Sequence, residues 1–228
     1  MVFRNRRDAG RSLGIALLPF REKDLYVLAI PRGGVIVGAD VARVLGAPLD
    51  VIVPRKLRAP HNPELAVGAV AHDGTVYLDP TFAEGLGLDA VYLDEEVRHQ
   101  QEEIARRMMT YRGRTDYPSM EGRTTILVDD GIATGSTMFA ALRAARKMQF
   151  KRVIVAVPVA PAEGLRRMEA EADAVVCLYV PPVFYAVGQF YEDFAQTTDD
   201  EVVALLREGS RWTGAPPGLG NTFDGAVH

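Results

Sequence analysis

The segment Ile126–Thr137, ILVDDGIATGST, holds the densest set of residues that could do chemistry. An apolar run delivers two adjacent carboxylates, Asp129 and Asp130. A loop follows through Gly131, Ile132, Ala133, Thr134 and Gly135, with Ser136 and Thr137 where a helix is expected to begin. Glycines let the backbone turn tightly and point N–H groups inward. A helix N-terminus favours an anion, and hydroxyls donate further hydrogen bonds to phosphate oxygens. The two carboxylates repel phosphate but suit sugar hydroxyls, or the water shell of Mg2+. The segment therefore asks for a ligand with both a phosphate and a polyol. It is not the common nucleotide loop, because no Gly-Lys-Ser/Thr follows.

Three other segments add to this pattern. In IPRGGVIVG, Gly33 and Gly34 permit close backbone approach to an anion, and Arg32 can pair with phosphate. In VPRKL, Arg55 and Lys56 follow an apolar run and point into the same crevice if the runs are neighbouring strands, with Arg58 and His61 extending the basic cluster. Val183–Phe194, VFYAVGQFYEDF, places five aromatics among twelve residues, so it suits either a flat ligand or an aromatic cluster closing a small subdomain. Glu192 and Asp193 in it could face a metal-bound diphosphate. The basic stretch Phe3–Leu17, with Arg4, Arg6, Arg7 and Arg11, reads as a solvated helix.

The elements that must position these residues follow from periodicity. Apolar runs at Leu25–Pro31, Leu49–Val53, Thr125–Val128, Val153–Val157 and Ala174–Val180 read as strands. Helical spacing follows at Val35–Leu45, Ser136–Met148 and Ala162–Glu171. Val- and Ile-rich strands alternating with helices predict an α/β fold, a doubly wound parallel sheet flanked by helices. His72-Asp73-Gly74 between Val-rich flanks predicts a hairpin turn. Asp89–Tyr111 predicts a long surface helix, and Thr198 with Glu201 a capping box.

The acidic pair with its Gly/Ala-Thr-Gly-Ser/Thr loop resembles the signature of type I phosphoribosyltransferases, and the strand–helix order from Leu25 to Val180 fits that family. The resemblance implies a small hood subdomain, an inserted mobile hairpin loop, and 5-phosphoribosyl 1-diphosphate as donor. Asp129 and Asp130 would hold the ribose hydroxyls and Mg2+, through water or directly, and Gly131–Thr137 would wrap the 5′-phosphate. Arg32-Gly33-Gly34 occupies the place of the pyrophosphate loop, and Lys56 that of a lysine meeting the pyrophosphate. Arg58–Val70 stands where the family has a mobile closing loop, in which His61 or Glu64 could act on a proton. Tyr185, three residues before Gly188, stands where purine-using members stack an aromatic on the base. The implied activity is Mg2+-dependent phosphoribosyl transfer to a nitrogen acceptor such as a nucleobase, in nucleotide salvage, by a homodimer. A donor-binding sensor or regulator on the same fold is the alternative.

The 228 residues, 48% hydrophobic and 25% charged, fit one globular domain. The expected division is a single domain over 1–209, with a core at about 25–180, hood material from 1–24 and 181–209, and a mobile tail at 210–228. With 26 Lys and Arg against 30 Asp and Glu, the net charge of −4 argues against coating nucleic acid or an anionic membrane. Cys177 is the single cysteine, which excludes an intrachain disulfide framework and fits a cytoplasmic protein. No apolar run approaches a membrane span, and no Gly-x-Ser-x-Gly elbow marks a doubly wound hydrolase.

Overall fold

Five apolar strands form one parallel sheet. They are β1 (Leu25–Ala29), β2 (Leu49–Val51), β6 (Thr124–Val128), β7 (Arg152–Val159) and β8 (Ala174–Tyr179), in the order β2-β1-β6-β7-β8. A second sheet, antiparallel, pairs β3 (Arg55–Ala59), β4 (Asn62–Val70) and β5 (Val76–Leu78) in sequence. The helices are α1 (Arg6–Ala16), α2 (Gly33–Leu45), α3 (Ala90–Arg112), α4 (Ser136–Lys147), α5 (Ala162–Glu169) and α6 (Asp199–Trp212). Short 3-10 turns occur at Leu18–Phe20 and Val187–Phe190. This is a computed structural model, and it describes residues 2–60, 62–79 and 90–212.

Strand alternation divides the core. Val27, Ala29, Ile126, Val128, Ile154 and Ala156 pack with Leu13 of α1 and Leu17 just after it, with α2, and with Val202 and Leu205 of α6. Tyr26, Leu28, Leu127, Val153, Val155 and Val157 pack on the other face with Met138, Phe139 and Leu142 of α4, Leu165 and Met168 of α5, and Ala69 and Tyr77 of the second sheet. Both faces are covered, which is why these strands are continuously apolar. Gly10 and Gly14 let α1 lie close on α2: a Cβ at Gly10 would come 2.7 Å from the Val37 carbonyl oxygen.

The predicted strands and helices lie where the periodicity placed them, with ends shifted by a few residues. Gly46 closes α2 in the left-handed region (φ 65°), and Gly74 turns the β4–β5 hairpin (φ 80°). The capping box also forms: the Thr198 N–H donates to Glu201 Oε2 (2.8 Å), and the Glu201 N–H donates to Thr198 Oγ1 (3.2 Å).

The segment Arg58–Val70 lies in the hairpin of β3 and β4, with Lys56 opposite Ala69, Leu57 opposite Gly68 and Arg58 opposite Ala66. Its small residues allow close pairing, since a Cβ at Gly68 would collide with the Tyr77 carbonyl oxygen, while Leu57, Val67 and Val70 enter the core. The stretch Phe3–Leu17 is not simply a solvated helix. Arg4, Arg7 and Arg11 are exposed, but Arg6 is 9% exposed, on the face of α1 that also carries Ala9, Gly10 and Leu13.

The N-terminus is stitched to the aromatic segment. The Phe3 N–H donates to the Phe190 carbonyl (2.8 Å), and the Glu192 and Asp193 N–H groups donate to the carbonyls of Phe3 and Arg4. Phe3, Phe190 and Tyr191 form a small buried cluster with Val159, flanked by Phe184 and Val187. Among the described residues, no helix is long and apolar enough to cross a membrane. His61, the side chain of Glu64 and the stretch 213–228 of the expected tail lie outside the described residues.

Candidate functional site

The strand order reverses between β1 and β6. β2 lies on the far side of β1, while β7 and β8 extend away from β6. Connections leaving the C-terminal ends of β1 and β6 therefore diverge to opposite faces and leave a crevice between them, the usual ligand position in such sheets. Arg32-Gly33-Gly34 leaves β1 there, and Asp129–Gly135 leaves β6.

Contact between the two loops is direct. A Cβ at Gly34 would lie 2.9 Å from both Cα and Oδ1 of Asp129 and 3.0 Å from the Val128 carbonyl oxygen. A Cβ at Gly33 would collide with the Asp130 carboxylate and come 2.7 Å from Arg6 Nε. Only residues without side chains fit at these two places, which brings the start of α2 against the acidic pair. The Pro31–Arg32 peptide is cis.

Asp129 is anchored by its neighbour, since the Asp130 N–H donates to Asp129 Oδ1 (2.8 Å). Arg6 Nε donates to Asp130 Oδ2 at 2.7 Å, and the Tyr191 hydroxyl donates to the Asp130 carbonyl at 2.6 Å. Burial pushes both carboxyls above their usual range. Asp129 goes furthest, because the Asp130 charge adds to burial, whereas Arg6 opposes the shift at Asp130.

The remainder of the loop prepares an anion position. Gly135 (φ 83°) precedes α4, and no side chain caps that helix. Its first intrahelical bond runs from the Phe139 N–H to the Gly135 carbonyl, so the N–H groups of the first turn are left for a ligand. Ser136 is buried, Thr137 half-buried, and Ala133 and Thr134 are exposed, with Thr134 Oγ1 3.5 Å from Ser136 Oγ. The Ile132 N–H donates to the Val159 carbonyl (3.0 Å), and Val187 of the aromatic segment packs directly on Gly131. α2 also starts without a side-chain cap.

The other expected residues divide. Arg32 is partly exposed beside α2, with Nη1 3.6 Å from Asp199 Oδ1. Lys56 is exposed on β3. Arg55 donates from Nε to Gln100 Oε1 of α3 (3.0 Å). Tyr185 stands 86% exposed, outside the cluster formed by its aromatic neighbours. Asp193 accepts from the Ala195 N–H (3.0 Å).

Arg6 and Tyr191 belong to the site although neither stood out in the sequence. For Arg6 the signal was the 6, 9, 10, 13 spacing, which sets it on the apolar face of α1. Tyr191 gave no such signal, because its role depends on how the aromatic segment folds back over β6.

No group of three or more His, Cys, Asp or Glu side chains that could hold a metal occurs among the described residues. Asp129 and Asp130 alone suit Mg2+, which keeps several waters and is commonly held by one or two carboxylates together with substrate phosphates.

Comparison with known proteins agrees with this geometry. A family model described as the phosphoribosyl transferase domain matches residues 10–195. Proteins from two Mycobacterium tuberculosis strains, both named provisionally as phosphoribosyl transferases, are each 46% identical over 210 residues. The alignments cover 92% of this chain and 47% of each relative, so the chain spans about half the length of the curated relatives it matches. The crystal structure of TT1426 from Thermus thermophilus superposes with a TM-score of 0.77 at 45% identity, covering 91% of this chain and 99% of that one.

Proposed function

The chain belongs to the phosphoribosyl transferase domain family, and from that premise we propose that it moves the phosphoribosyl group of 5-phosphoribosyl 1-diphosphate to a nitrogen nucleophile, with a nucleobase as acceptor. The carrying observation is the contact of Gly33 and Gly34 with Asp130 and Asp129, where a diphosphate position and a ribose position meet.

In this reading the 2′- and 3′-hydroxyls of the ribose donate to Asp129 and Asp130. The 5′-phosphate lies on the loop Gly131–Thr137 and the uncapped first turn of α4. The diphosphate lies against Gly33, Gly34 and the uncapped start of α2, with Arg32 beside it. Lys56, exposed on β3, adds positive charge to the departing group. Arg55, whose Nε is held by Gln100, would add its positive charge from the same strand. Asp129 and Asp130 would hold Mg2+, which when bound would neutralise charge on the diphosphate.

The acceptor nitrogen forms its bond to ribose C1 as the C1–O bond breaks; diphosphate leaves with the electron pair, and the acceptor's N–H proton passes to the departing diphosphate or to solvent. Because the leaving group is good, the protein's contribution is positioning and charge. Tyr185, exposed in the aromatic segment, would offer a flat face to the acceptor.

The test is pyrophosphate release from the donor with Mg2+ across a panel of nucleobases. Release with at least one base is expected. Failure of every base alongside tight donor binding would replace transfer by sensing.

A further inference from the structure

Arg6 is bound on three sides. Nε donates to Asp130 Oδ2 (2.7 Å), Nη1 donates to the Ala195 carbonyl (2.8 Å), and the guanidinium carbon lies 3.8 Å from the centroid of the Phe194 ring. The side chains of Arg6 and Asp130 are 10% and 15% exposed, so solvent screens the pair little. Arg6 is the one cation that the described residues bring within ion-pair range of Asp130.

The three contacts come from separate parts of the chain. Arg6 opens α1, Asp130 follows β6, and Phe194 and Ala195 lie in the segment that runs from the aromatic cluster to α6. The guanidinium therefore joins the acidic pair to the structure above it. It also sits beside Gly33 at the start of α2, where two uncompensated carboxylates would repel a diphosphate.

We propose that Arg6 is the positioning residue of the acidic pair, holding the Asp130 carboxylate in the orientation that receives the donor sugar. This rests on the phosphoribosyl reading of the site. Arg6 acts through Asp130 rather than by touching donor. Arginine suits the task because a planar fork can serve a carboxylate and a carbonyl together while lying on an aromatic face, which a lysine ammonium does not reproduce.

The experiment is a double-mutant cycle on the full chain, reading the affinity for 5-phosphoribosyl 1-diphosphate with Mg2+ by calorimetry. Arg6→Met is expected to weaken donor binding about tenfold or more, the scale of a lost charge-assisted hydrogen bond. Arg6→Lys should recover part of that loss. In an Asp130→Asn background, Arg6→Met should change affinity by less than about twofold. If Arg6→Met does not fold, Arg6→Lys alone should show the same pattern, weakening donor only when Asp130 is present. Wild-type affinity in the Arg6 variants would overturn the proposal, as would an undiminished loss in the Asp130→Asn background. A wild-type chain that binds no donor would instead bring down the phosphoribosyl reading, and this proposal with it.

Discussion

Gly34 leaves no room for a side chain, since backbone and carboxylate atoms of Asp129 stand where a Cβ would go. Gly34→Ala should therefore push the α2 start away from the acidic pair. A stability loss of about 1–3 kcal/mol is expected from overpacking, with donor affinity falling as well, read by thermal melting and calorimetry. Lys56 provides the contrasting case. It is exposed, and its strand register is set by backbone pairing with Ala69. Lys56→Ala should change stability by no more than about 0.5 kcal/mol. Turnover should nevertheless fall by about a hundredfold, the scale of removing one group that stabilises developing charge. Steady-state pyrophosphate release measures it, and unchanged turnover would remove Lys56 from the reaction.

At the scale of elements, the strongest buried tie lies away from the crevice. Asp50 of β2 accepts a fork from Arg112 at the end of α3, at 2.8 and 3.0 Å, with both side chains buried. Arg112 also lies over the Tyr117 ring, whose hydroxyl donates to the Val51 carbonyl. Asp50→Ala would strand the guanidinium and should cost about 3–5 kcal/mol in denaturant unfolding, far more than the removal of an exposed ion pair.

The sequence made the parallel strands, α2, α4 and the acidic loop readable, because a buried strand and a phosphate loop are local patterns. The strand bounds within Arg58–Val70 were less legible, because its small residues carry little pattern and are fixed by pairing with β3 and with Tyr77 and Leu78 of β5. The Arg55 contact with Gln100 of α3, forty-five residues away, had no local signal. The buried role of Arg6 needed the 124-residue contact with Asp130, which no local pattern announces.

For the whole molecule, His72 is one group through which pH acts on stability. It is half-buried, its ring packs edge-on against Tyr117 with centroids 4.6 Å apart, and its buried Nδ1 has no hydrogen-bond partner among the described residues. Burial lowers its pKa, with the nearby Asp73 charge opposing and Arg112 adding to the shift. The folded state therefore holds the neutral ring. Its contribution to stability is present above the unfolded pKa of about 6.5 and is lost as pH falls from there through the lower folded pKa. The melting temperature should drop more between pH 8 and pH 5.5 for the wild-type chain than for His72→Phe, and equal drops would discount His72.

At the crevice between β1 and β6, two buried carboxylates, the Arg6 guanidinium and the uncapped starts of α2 and α4 come together. The most direct measurement is calorimetric titration of the wild-type chain and an Asp129→Asn/Asp130→Asn double variant with 5-phosphoribosyl 1-diphosphate and Mg2+. The account predicts one site on the wild-type chain and an affinity lower by about tenfold or more in a variant that remains folded. Equal affinity in the two proteins, or no binding to the wild-type chain, would contradict it.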